Sequence, residues 1–274
     1  MSAEPAGERG RRAGRAGAVT SDGRLERSWL PGGVRVLALE RSRRRNALTP
    51  FLLDALAEAL APDPAVRALV LEARGPAFCA GYDLAQLGED AAAARSPDAR
   101  IQEVLAMLEA HPAPSLAVVH GAAFGAGCEL ACACDFRIGT PDTVLCMPTV
   151  RLGVVYAPDG VWRVARLVGV QRARWMFLTG SEVNSAEALA WGLLDLVTDD
   201  AGPKAHALAT TLASGAPLAM AGLRRTLRAL GRAPLDPSDR EELERLRAEA
   251  FASEDAHEAR TAMREKRPPR WKGR

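Results

Sequence analysis

Apolar and β-branched residues crowd two stretches, VRVLALE (34–40) and VRALVLEA (66–73), and a third run, PSLAVVH, fills 114–120. Runs this short and this continuous read as strands buried on both faces. Between them the period changes. In TPFLLDALAEALA (49–61) the apolar positions recur at helical spacing, with Thr49 placed to cap and Pro50 at the first helical position. SPDARIQEVLAMLEAH (96–111) predicts a second helix. The glycine-rich start of HGAAFGAGCELACACDF (120–136) runs into a third, of about ten residues. Strand and helix in alternation predict βαβ units with right-handed crossovers.

From about residue 200 the strand pattern stops. Helical periodicity covers 204–215, 217–231 and 239–266, broken by Gly and Pro at 215–217 and 231–237. The chain therefore divides into a basic extension (1–22) predicted to be disordered, an α/β core (23–199) and a helical C-terminal region (200–274).

Composition adds little to this picture except at three places. The chain has 274 residues, 48% of them hydrophobic, and a net charge of +2, which is enough for a sizeable core and gives no global pull toward nucleic acid. Arginine nevertheless clusters at 8–17, 41–45 and 264–274, where a solvated face or a site for an anionic group such as phosphate is expected. No apolar run approaches the roughly 18 residues of a membrane span, and the N-terminal stretch lacks the apolar segment of a signal peptide. No membrane partner is expected, and the cytoplasm is the expected compartment. Five cysteines cannot form a complete intramolecular disulfide set. Cys128, Cys132, Cys134 and Cys146 read as small core residues rather than as a metal site, because Cys134 leaves the face shared by the first two.

The chemistry gathers at the glycine-rich turns. A strand that delivers the chain into a helix N-terminus leaves unpaired N–H groups there, together with the positive end of the helix dipole. Ala126 and Gly127 stand at such a point, and a second small-residue loop, GPAFCAGYDL (75–84), follows the strand at 66–73. Two such loops side by side can each offer one N–H to the same oxygen, which is the geometry of an oxyanion hole. Glu129 then falls on the first helical turn, beside a bound carbonyl.

These segments, with LTGSEVNSAEALAWGLLDLV (178–197) and EKRPPRWKG (265–273), resemble the crotonase (enoyl-CoA hydratase/isomerase) superfamily from about residue 30 onward. The resemblance implies an α/β crotonase fold of repeated ββα units with a helical trimerisation region, giving a homotrimer or hexamer. It implies acyl-CoA thioester substrates and no separate cofactor, coenzyme A being part of the substrate. Oxyanion donors map to the backbone N–H groups of Tyr82 and Ala126, and CoA contacts to Arg41, Ala80 and Lys266.

One departure narrows the reaction. Hydratases of the family carry a second glutamate after a proline, and here that position is Thr149, which cannot ionise near neutral pH. Tyr156 follows in RLGVVYAPDG, matching the pattern of methylmalonyl-CoA decarboxylases in the family, and Asp159 is a further candidate on the same loop. The leading expectation is decarboxylation of a methylmalonyl- or ethylmalonyl-type CoA through a thioester enolate. The alternative is an enoyl-CoA hydratase or isomerase using Glu129 as its single carboxylate, with help from Asp159. A thioester hydrolase, and an RNA-binding role for the Arg-rich extension, rank below both.

Overall fold

The computed structural model describes residues 22–86, 97–230 and 252–270, with 241, 244, 245, 248 and 249 between them. The expected basic extension falls outside the described residues, apart from Asp22.

The largest sheet has six strands in the order β1 (Arg24–Leu30), β2 (Val34–Glu40), β3 (Ala68–Ala73), β4 (Ser115–Val119), β6 (Phe136–Gly139) and β9 (Leu196–Val197). β1 and β2 form an antiparallel hairpin whose turn places Gly32 and Gly33 at φ +82° and +83°. Every later pairing in this sheet is parallel. Parallel strands need long crossovers, and these carry the helices that cover the sheet. On one face, α1 (Pro50–Ala59), α2 (Pro97–Ala110) and α3 (Ala126–Ala133) join the larger core, with Leu52, Leu56, Leu105, Leu108 and Leu130 buried against Leu37, Leu69 and Leu71. The Thr49 side chain accepts from the Leu52 N–H at 3.2 Å and so caps α1 as its sequence indicates.

The opposite face is closed by α8 (Ala201–Ala213). Ala201, Ala205, Ala209 and Ala213 recur every fourth residue, which lets this helix lie close against Val34, Val36, Val70, Val118 and Ile138. The boundary expected at 199/200 thus falls beside a helix that shares the core of the sheet. Beyond it lie α9 (Pro217–Leu230) and α10 (Glu254–Arg264).

A second, three-stranded sheet contains β5 (Ala122–Phe124), β7 (Val144–Cys146) and β8 (Glu182–Asn184). Its strands are three residues long and were not legible as strands. Around it pack α4 (Thr149–Leu152), α5 (Pro158–Val168), α6 (Val170–Thr179) and α7 (Ser185–Trp191). This small sheet matters because β5 runs directly into α3 and carries the glycine-rich turn with it.

Candidate active site

The two small-residue loops meet. The chain leaving β3 lies along β5: Phe78 N–H donates to the His120 carbonyl at 2.8 Å, Cys79 N–H to Ala122 at 3.1 Å, and Phe124 N–H back to Cys79 at 2.9 Å. Gly127 is required at the junction, since a Cβ there would collide with the Cys79 carbonyl oxygen. Gly81, at φ +98°, lets the first loop turn over the second; a Cβ on it would stand 2.9 Å from the Phe124 oxygen and 3.7 Å from the Ala126 nitrogen.

The two expected donors fall on either side of this contact. Leu48 donates to the Gly81 carbonyl and accepts from the Asp83 N–H, so the N–H of Tyr82, between them, points away from Leu48. Ala126 opens α3, where an N–H has no partner within the helix. Neither N–H has a backbone acceptor among the described residues, and Ala80, Tyr82 and Ala126 all line one cavity of about 430 Å³.

Glu129 lines the same cavity and is fully buried. Its Oε2 accepts from Gln102 Nε2 at 2.8 Å and lies 3.6 Å from Arg163 Nη1, while Oε1 has no hydrogen-bond partner. Oε1 rests against Gly160, where a Cβ would overlap it. Burial pushes the Glu129 carboxyl up to about 7; Arg163 and Gln102 pull it down, and the charges of Asp98 and Glu109 push it further up.

Tyr156 reaches the cavity from the loop before α5. Its hydroxyl lies 2.6 Å from where a Cβ of Gly125 would be, and its ring meets Phe177 edge-on at 6.0 Å. Burial, with the Glu129 charge next in size, holds the phenol well above its usual range, so it stays protonated at neutral pH. Thr149 is buried but turned away, its hydroxyl donating to the Phe177 carbonyl at 2.8 Å, and it is not among the residues lining the cavity. Asp159 is exposed in the first turn of α5 and is not among the residues lining the cavity. The carboxylates that do line it beside Glu129 are Asp98 and Glu182. Asp98, in the first turn of α2, raises the pKa of both Glu129 and Tyr156. Its only sequence signal was a Pro-Asp pair at a predicted helix start.

The basic residues divide into two roles. Arg41 is 7% exposed, and its guanidinium pairs with Asp83 at 2.7 Å and donates to the Ala47 carbonyl at 3.2 Å. It braces the first loop from behind, with its guanidinium held on Asp83 and the Ala47 carbonyl. Asn46, overlooked in the sequence, does similar work: its side chain accepts from Arg41 N–H and donates to the carbonyls of Arg74 and Ala77, at 2.7 to 2.8 Å. A second cavity, about 970 Å³, adjoins the first and shares Tyr82, Leu84, Arg260 and Met263 with it. Arg44, His257 and Arg264 also line this outer space. Lys266 is exposed at the end of α10, two residues beyond Arg264, with φ +53°.

A mostly parallel sheet wrapped by helices, with one fully buried glutamate on the wall of a pocket where two glycine-shaped loops meet, is an α/β fold with a site of ligand size. The chain belongs to the enoyl-CoA hydratase/isomerase family, whose model matches residues 30–274, and is thus a crotonase-superfamily enzyme that processes acyl-CoA substrates. It is 37% identical over 243 residues to a "probable enoyl-CoA hydratase" of Mycobacterium tuberculosis, covering 88% of this chain and 96% of that protein. Among solved structures, methylmalonyl-CoA decarboxylase complexed with 2S-carboxypropyl-CoA superposes with a TM-score of 0.84 at 27% identity, covering 91% of this chain and 98% of that one. An enoyl-CoA hydratase from Mycobacterium avium subsp. paratuberculosis gives 0.76 at 27%, covering 90% and 98%.

Proposed function

We propose that the protein decarboxylates a malonyl-type acyl-CoA, the thioester carbonyl lying between the N–H groups of Tyr82 and Ala126. The reaction breaks the bond between Cα and the carboxylate. The electron pair moves onto the thioester oxygen as an enolate, CO2 departs, and a proton returns to Cα. No base is needed at Cα. The requirements are donors for the enolate oxygen and a pocket that strips water from the carboxylate. Glu129, with a pKa of about 7, is protonated often enough at neutral pH to supply the proton. Tyr156, kept protonated, donates a hydrogen bond to the departing carboxylate. Arg44, Arg260 and Arg264 around the outer cavity suit the phosphates of CoA.

The observation that carries this reading is that Tyr156 and Glu129 line one cavity while the buried Thr149 hydroxyl is turned away from it, onto the Phe177 carbonyl. The likeness to methylmalonyl-CoA decarboxylase supports it. Asp98 favours a second reading. A carboxylate on α2 in the same cavity as Glu129 offers a pair that would position water on an enoyl-CoA, and the sequence relatives named as hydratases fit that chemistry.

Malonyl-, methylmalonyl-, ethylmalonyl- and crotonyl-CoA, offered separately and followed by mass spectrometry, distinguish the two. Loss of CO2 from a malonyl-type ester, reduced about 10- to 100-fold in Tyr156→Phe, is the expected outcome for a buried hydrogen bond to a charged group. Brisk hydration of crotonyl-CoA with the malonyl esters untouched would replace this reading with the second.

A further inference from the structure

Behind Glu129 lies a chain of polar side chains, Arg163 buried and its partners half-buried, that the reaction itself does not require. Gln102 and Glu109 sit two turns apart on α2, and Arg163 and Arg166 one turn apart on α5. Arg163 grips Glu109 with both edges of its guanidinium, Nε to Oε1 at 3.0 Å and Nη2 to Oε2 at 3.3 Å, and Arg166 adds a bond to Glu109 Oε1 at 2.9 Å. The remaining Arg163 nitrogen, Nη1, donates to Gln102 Oε1 at 3.2 Å.

That last bond fixes the amide. A guanidinium has no acceptor, so only the oxygen of Gln102 can face Arg163, and its NH2 group must face Glu129. An NH2 group can only donate. The Glu129 oxygen it touches, Oε2, therefore accepts in both protonation states, and a proton on the carboxyl is directed to the other oxygen, Oε1. Oε1 is also the oxygen with no partner.

We propose that Gln102, Arg163 and Glu109 are positioning residues that pin Oε2 of Glu129, so that Oε1 alone gives and takes the catalytic proton. The relay also sets how strongly that proton is held. Glu109 occupies two of the Arg163 nitrogens, and the cation stands 3.6 Å from Glu129, an ion pair without a hydrogen bond. Freed from Glu109, Arg163 would close on Glu129 and drive its pKa down, leaving no proton to deliver. Without Arg163, the buried carboxylate would lose its nearest cation, and its pKa would climb. The other charged or titratable groups facing Glu129 are Asp98 on α2, Tyr156 before α5, and Cys128 and Cys132 on its own helix. All three substitutions below leave them in place.

The inference rests on Glu129 being the proton-transfer group, and its test needs no turnover. Infrared difference spectroscopy of the substrate-free protein, referenced to Glu129→Gln, isolates the protonated carboxyl stretch of Glu129 and follows its titration. Glu109→Gln should move the midpoint toward acid and Arg163→Met toward alkali, each by roughly a unit. Gln102→Met, which alters no charge and nearly preserves volume, should move it toward alkali and shift the carboxyl band, because Oε2 loses its donor. Opposite shifts from Glu109 and Arg163 are not what loosened packing produces. Unmoved midpoints, or both charge variants shifting the same way, would overturn the relay. Should the charge variants not fold, an unchanged midpoint and band in Gln102→Met would overturn it by itself. The substrate panel stands apart: its failure with the shifts present removes the decarboxylase reading and leaves the relay intact. A pH profile of kcat following the same midpoints in the three variants would tie the relay to turnover.

Discussion

Glu129 is a burden on the fold as well as an asset to the site. Its carboxyl, raised from 4.5 to about 7, binds a proton more tightly in the folded than in the unfolded chain. Between those two values the folded state holds more protons, so stability falls as pH rises through the window. Below about 4.5 both states are protonated and the penalty vanishes; above about 7 it is fully present, on the order of 3 kcal/mol. Glu129→Gln, neutral at every pH, should therefore be more stable than the parent protein at pH 8 by about 1–3 kcal/mol, and close to equal at pH 4.5. Urea unfolding at the two pH values measures the difference. An advantage that does not change with pH would show that the carboxylate is not held at a raised pKa. The same variant should lose activity, as expected where a destabilised group is retained for its chemistry.

At the scale of elements, the junction of β5 and α3 is decisive. Ala126→Pro removes the N–H that opens α3 and should lower turnover about 100- to 1,000-fold while CoA binding persists, as steady-state kinetics alongside calorimetric CoA titration would show. Normal turnover in a folded variant would take Ala126 out of the site. This junction was largely legible in the sequence, because glycine marks both places where the backbone must approach another strand: Gly81 over Phe124 and Gly127 against Cys79. The buried strands β2, β3 and β4 and the capped α1 were legible for a similar reason, since period and capping chemistry are local. What escaped was non-local. Gln102 and Arg163 lie 61 positions apart, and nothing in either segment announces that one meets the other. Asp98 reads as an ordinary acidic residue at a helix start, and Asp159 as a candidate whose exposure on α5 only the fold shows. Arg41 belonged to a conspicuous basic cluster, and only the fold shows it turned inward onto Asp83.

For the whole molecule, the feature to test is the row of exposed leucines on α9. Leu218, Leu223 and Leu227 are 90%, 62% and 66% exposed, an unusual expense for side chains that each gain ~1.5–3 kcal/mol on full burial. The expected outcome is a trimer or a dimer of trimers by light scattering at micromolar concentration, with Leu223→Glu together with Leu227→Glu shifting the mass toward a monomer. A monomeric parent protein would show that this face is simply solvated. α10, meanwhile, contributes Arg260 and Met263 to the cavity wall and lies so close to α4 that a Cβ on Gly153 would stand 3.0 Å from the Asp255 carbonyl.

The two N–H groups of Tyr82 and Ala126 belong to the main chain, and this makes them invisible to the commonest way of mapping a site. An alanine scan through 80–82 and 125–127 would exchange side chains and leave both donors where they are, and at Ala126 it would change nothing. Much of any loss it recorded would come from glycines that shape the turns. Replacing one amide by an ester, through chemical ligation or an α-hydroxy acid, deletes the donor and keeps the side chain. Where a main-chain N–H is the donor, side chains at its position can change while that part of the chemistry stays the same.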